Sequence, residues 1–173
     1  MPKLPSRASL VALALLAECL HLGWEALHGG IVSHHLFQHA DLPGLSNAWG
    51  LLVLPALAAW AAGRWPGRST ATATTRHRRR VVLGFLLPLA LGATLSLAFS
   101  FQQQALTEAL FFGAMLLALL LPAHRPESLL GFVLGMTGTF GAVLPTLVGG
   151  AIAGVSWLVR GLVRQAWHVV RPA

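Results

Sequence analysis

Glu18, His21, Glu25 and His28 follow the pattern Glu-x-x-His-x-x-x-Glu-x-x-His, two Glu-x-x-His units one heptad apart. On a helix at 100° per residue these four positions fall within an arc of roughly 80°, a single narrow stripe. Residues three and four apart on a helix are neighbours, so each carboxylate can reach an imidazole. Beyond Gly29-Gly30 come His34, His35, His39 and Asp41, so five of the eight histidines and three of the five acids lie between Glu18 and Gly50. Carboxylates mixed with imidazoles suit Zn, Fe or Cu. The same groups can relay protons, or they can pair with one another and hold helices together.

Each chemistry makes its own demands. Paired Glu-x-x-His units resemble the ligand pattern of di-iron bundles, but that pattern needs carboxylates from other helices. Within the other apolar stretches only Glu108 is on offer. A mononuclear zinc or copper site needs three or four ligands, and the candidate set is Glu18, His21, Glu25, His28, His34, His35, His39 and Asp41. A catalytic zinc in such a set would keep a water position open for hydrolysis of a membrane-associated substrate. Bis-histidine haem needs two opposed imidazoles, and His124 is expected at the opposite face. There is no Gly-rich phosphate loop, no Gly-x-Ser-x-Gly and no Cys-x-x-Cys.

The elements that must carry these residues are apolar. The chain is 55% hydrophobic and 10% charged, with Cys19 as its lone cysteine, which rules out an internal disulfide. Mean hydropathy is +0.69, far from a soluble average. The reading is an all-α polytopic membrane bundle, one domain over 1–173, with spans near 8–28, 46–62, 81–100, 105–121 and 129–148. A basic amphipathic helix is expected over 151–170, built on Arg160, Arg164, His168 and Arg171. A break at Gly149-Gly150 would separate it from the fifth span. A sixth, poorly apolar span over the same residues is the alternative. Gly131, Gly135, Gly138 and Gly141 recur at helical spacing and read as a close-packing face.

Basic residues set the orientation. The first seven residues carry two, the His-rich segment none, and the 63–80 loop six arginines. That alternation places the N-terminus in the cytoplasm and the His-rich segment outside. Five spans would leave the C-terminal arginines on the wrong side. Lys3, Arg7 and the apolar run after them are read as an uncleaved first span. Arg outnumbers Lys eleven to one, which suggests a GC-rich bacterial genome and an inner-membrane location. The net charge of +7 sits at span ends, so the expected partners are the lipid bilayer and another membrane subunit or second copy, not nucleic acid. The function expected is metal-dependent redox or hydrolytic chemistry. The alternative is a small proton or metal-ion transporter, or a non-catalytic accessory subunit.

Overall fold

A computed structural model describes residues 6–35, 44–64, 75–120 and 123–170. The chain is mostly helical. Among the described residues six α-helices run in order: α1 (Arg7–Leu27), α2 (Gly50–Ala62), α3 (Thr75–Ser100), α4 (Gln104–Leu120), α5 (Pro126–Phe140) and α6 (Val143–Val170). Between α1 and α2 lie two short antiparallel strands, β1 (Ser33–His35) and β2 (Gly44–Ser46), with His34 opposite Leu45, then a 3-10 turn at Asn47–Trp49. Among the described residues three helices are long and apolar enough to cross a membrane: α1, α3 and α6 over Val143–Gln165. At 1.5 Å per residue, α1 is about 31 Å long, the thickness of a bilayer core. The shorter apolar helices are Asn47–Ala62 and Gln104–Leu119. Leu13, Leu16 and Leu20 of α1 point outward at 56%, 55% and 66% exposure, a surface compatible with lipid rather than water.

Helix α5 is the centre. It packs against α2, α3 and α6, while α1 lies on the far side of α2, and α4 bridges α3 and α6. The α3–α5 contact is close because glycine removes side chains from both surfaces. A Cβ on Gly92 would come 2.6 Å from the Phe132 carbonyl, and one on Gly131 or Gly135 would run into the backbone at Phe85 or Leu89. The register Phe85 to Gly131, Leu89 to Gly135 makes α3 and α5 parallel. Ser96 Oγ donates to the Gly135 carbonyl at 3.2 Å and Phe99 packs on Phe140 further along. The main core joins Ala14 of α1, Leu54, Leu57, Ala58 and Ala61 of α2, and Leu129, Leu130 and Val133 of α5.

Two expectations need correction. The chain does not break at Gly149-Gly150. It breaks at Gly141, whose φ of +66° is open to glycine and strained for other residues. Gly149 instead fits against Leu129 and Phe132, so it is a packing residue inside α6. The fifth helix therefore stops at Phe140 rather than 148, and the expected interfacial helix over 151–170 is the second half of one 28-residue helix. Gly138 has open space where a Cβ would sit and takes no part in the packing face. Arg171 of the expected basic stripe lies outside the described residues, as does Arg68 of the middle loop.

Six alternating helices return the chain to its starting end. Ser6, Arg64, the start of α3, Glu127 and Arg160 cluster at one end, and Glu25, Asn47, Gln104 and Gly141 at the other. In a Cys19→Ser background, Ser6→Cys and Gln165→Cys should label from the same side of sealed vesicles with an impermeant maleimide. Labelling from opposite sides would contradict the six-helix path.

Candidate functional site

The stripe on α1 faces α2 only in part. Glu18 is completely buried. It is held there by shape: its carboxylate lies against Gly50 at the start of α2, in the space a Cβ would take. Neither Glu18 oxygen has a hydrogen-bond donor. One turn on, His21 presents Nδ1 to Glu18 Oε2 at 3.9 Å and Nε2 to Glu25 Oε1 at 3.4 Å. His21 is therefore the middle rung between two carboxylates. Its Nδ1 is itself buried without a hydrogen bond.

Glu25 is satisfied where Glu18 is not. Asn47 Nδ2 donates to its Oε1 at 2.6 Å and the Val32 amide to its Oε2 at 3.1 Å. The Glu25 carbonyl accepts from the amides of His28 and Gly30, which closes the end of α1. Gly29 and Gly30 take φ of +130° and +101°, so the chain turns out of the helix there. Asn47 is 3% exposed, its amide donates to the Val32 carbonyl at 3.0 Å, and its side chain lies against Gly141.

Of the remaining expected ligands, His28 does not join. His28 is the C-cap of α1 and is exposed. Its Nδ1 pairs with the Trp24 carbonyl at 2.9 Å and its ring stacks on Trp24 with centroids 3.7 Å apart. The helix ends just before it, so the fourth member of the stripe leaves the row. His34 and His35 belong to β1, and His39 and Asp41 lie outside the described residues. Glu108 accepts from Gln104 Nε2 at 3.0 Å and lines an apolar cavity of about 560 Å³ between α3, α4, α5 and α6, with Phe111, Phe132 and Met136. It is not brought to the ladder.

Among the described residues no group of three or more His, Cys, Asp or Glu is arranged to hold a metal ion. The geometry explains why. An imidazole offers a metal one nitrogen, and here the two carboxylates face opposite nitrogens of the same ring. A single ion cannot take Glu18, His21 and Glu25 together in this arrangement.

The opposite end holds a second polar group that the sequence reading passed over. Glu127, in the first turn of α5, is 1% exposed and pairs with Arg64, Nε to Oε2, at 3.4 Å. Pro126 at the first helical position and an acid beside it are the signals that could have marked it. His124 stands nearby. Burial first, then the positive charges of Arg160, Arg125, Arg64 and Arg164, hold its imidazole below its ordinary value of 6.5.

Compared with known protein families, curated proteins and solved structures, the chain matches none.

Two outcomes test this geometry. Asn47→Ala leaves Glu25 without its strongest donor and should destabilise the detergent-solubilised protein by about 1–3 kcal/mol. Adding Glu25→Gln should return part of that loss, a coupling on the order of 1 kcal/mol in a double-mutant cycle of unfolding. Strict additivity would deny the bond. His124 gives a pH dependence. The unfolded chain protonates it near 6.5 and the folded chain only at lower pH. The unfolded state thus binds more protons as pH falls below 6.5, and stability declines through that window until the folded group also titrates. His124→Gln should flatten the slope, read as unfolding midpoint against pH.

Proposed function

We propose that this chain is a polytopic membrane protein in which Glu18, His21 and Glu25 form a ladder that carries protons between the Asn47 end and the bundle interior. The observation that carries this reading is Glu18: fully enclosed, donorless, with an imidazole as its polar neighbour. An ionised carboxylate without a partner is among the costliest groups to place in an apolar interior. Something positive must accompany it, a proton or a cation. The route to it runs through His21, whose two nitrogens can accept on one side and donate on the other. Glu25, anchored by Asn47 and Val32, is the outer rung. The ladder serves as the proton-handling part of a small transporter or of an accessory membrane subunit.

Metal chemistry with Zn, Fe or Cu is the competing reading, and the one-imidazole geometry weighs against it. The arrangement of charge supports a bacterial inner-membrane orientation. Arg64, Arg125, Arg160, Arg164 and the basic start of α3 share one end, the cytoplasmic one by the positive-inside rule, so the ladder opens outward.

Protein reconstituted in liposomes with an interior pH dye should acidify on an imposed gradient faster than empty vesicles. Glu18→Gln should slow that flux by on the order of 100-fold, the size of effect a positioned acid–base group contributes. Flux equal to empty vesicles in the wild type, or unchanged in Glu18→Gln, would sink the proposal. Stoichiometric metal in purified wild type that disappears in His21→Ala would favour the metal reading instead.

A further inference from the structure

Helix α4 is the least buried helix of the bundle: among its described residues only Ala118 is buried. It packs on α3 and α6. Between it and α5 lies the cavity of about 560 Å³. That volume falls within the range of about 300–1,000 Å³ typical of small-molecule sites. An ordinary protein interior keeps few voids larger than a water molecule. The lining comes from α3, α4, α5 and α6, with nothing from α1 or α2 and so nothing from the ladder. Buried Phe132, Met136 and Pro145 form the floor, and exposed Glu108 and Phe112 stand at the rim. Four of the chain's eight phenylalanines face this one space: Phe111, Phe112, Phe132 and Phe140. The rings of Phe111 and Phe112 meet edge to face with centroids 5.8 Å apart, so the wall offers ring faces in two orientations.

Among the lining residues only Thr107 and Glu108 are polar. Thr107 spends its hydroxyl on the Gln103 carbonyl, to which it donates at 3.0 Å. Glu108 accepts from Gln104 Nε2 at 3.0 Å through Oε1, a bond that brings no positive charge. Among the described residues no arginine lies at this end of the bundle; Arg64, the arginines of α3, Arg125 and Arg160 are all at the other. A carboxylate at the edge of an apolar space calls for a positive partner. We infer that the cavity between α4 and α5 binds a lipophilic cation, its apolar body against the phenylalanines and its charge beside Glu108. Ring faces attract a cation through their quadrupole, and the attraction grows as water is excluded. An acyl chain would fill the same walls and leave the carboxylate facing hydrocarbon. An apolar anion of the same shape would meet Glu108 as a like charge. The site is separate from the proton ladder, and its test needs no pH gradient, so it stands or falls independently of that reading.

The test uses the full chain purified in a neutral detergent, with protein-free micelles as the blank. Equilibrium dialysis measures binding of tetraphenylphosphonium and of tetraphenylborate, two ions of the same shape and opposite charge. The wild type should bind the phosphonium saturably and the borate at least about tenfold more weakly, since the carboxylate attracts one and repels the other. Glu108→Gln, at an exposed position, should weaken phosphonium binding about tenfold and narrow the gap between the two ions. Phe112→Leu, also exposed, keeps the apolar bulk and removes a ring face, and should weaken the phosphonium about threefold with less effect on the borate. Should Glu108→Gln fail to fold, Phe112→Leu carries the comparison. Equal binding of the two ions by the wild type would mark a space for any apolar chain and overturn the inference. So would the absence of saturable phosphonium binding, or phosphonium binding unchanged in the folded variants.

Discussion

The hydrogen bond from Asn47 to Glu25 ties together several parts of this molecule. It is short and goes to a carboxylate, the stronger class of such bonds. Through it the end of α1 meets the start of α2. Through the Asn47 amide the same residue holds the segment leading into β1, and through its contact with Gly141 it touches the turn between α5 and α6. Four parts of the chain thus meet at one buried asparagine, through its side chain and its backbone N–H. The spacing of α1 from α2 and the depth at which Glu18 sits are both set by this junction.

The two carboxylates of the stripe show what the junction does. They are seven residues apart on the same helix face and nearly the same by sequence. Glu25 lies level with Asn47 and Val32 and receives a donor on each oxygen. Glu18 lies two turns deeper, where α2 offers Gly50 and apolar residues, and receives none. Gly50 allows the approach without compensating it: the absent side chain makes room for the carboxylate and supplies no hydrogen bond. His21 is thereby placed between a satisfied acid and an unsatisfied one. That inequality gives the ladder a direction, which a row of equivalent pairs would lack.

The helical stripe was legible because its period is local: Glu18, His21 and Glu25 share a face whatever surrounds them. His28 belonged to the same periodic row and still fell out of it, because two glycines at positive φ end α1 at Leu27 and free the ring to stack on Trp24. The glycines of the C-terminal half were harder. Gly141 and Gly149 look alike in sequence. One bends the chain and the other fits beneath Leu129 and Phe132, and the difference depends on the neighbouring helix. Asn47, Gly50 and Glu127 were missed for the same reason. A single asparagine in a turn or a single glutamate in a loop gains its meaning from a partner dozens of residues away. Glu127 did come with a local cue, Pro126 beside it at a helix start, and that cue went unread.

The misplaced break also accounts for the one anomaly in the charge pattern. With the fifth helix ending at 148, Arg160 and Arg164 would lie on the side that otherwise carries no arginine. With the turn at Gly141, α6 runs back along the bundle and brings both residues to the end that holds His124. Positive charge then gathers at one end and the carboxylate–imidazole ladder opens at the other. The depth of α6 follows from a single backbone angle, since a residue with a Cβ at 141 would be strained at that φ and would collide with Asn47. The same glycine that closes the Asn47 junction therefore also decides which end of the molecule receives the C-terminal arginines. The two polar clusters lie at opposite ends, and both depend on that one turn.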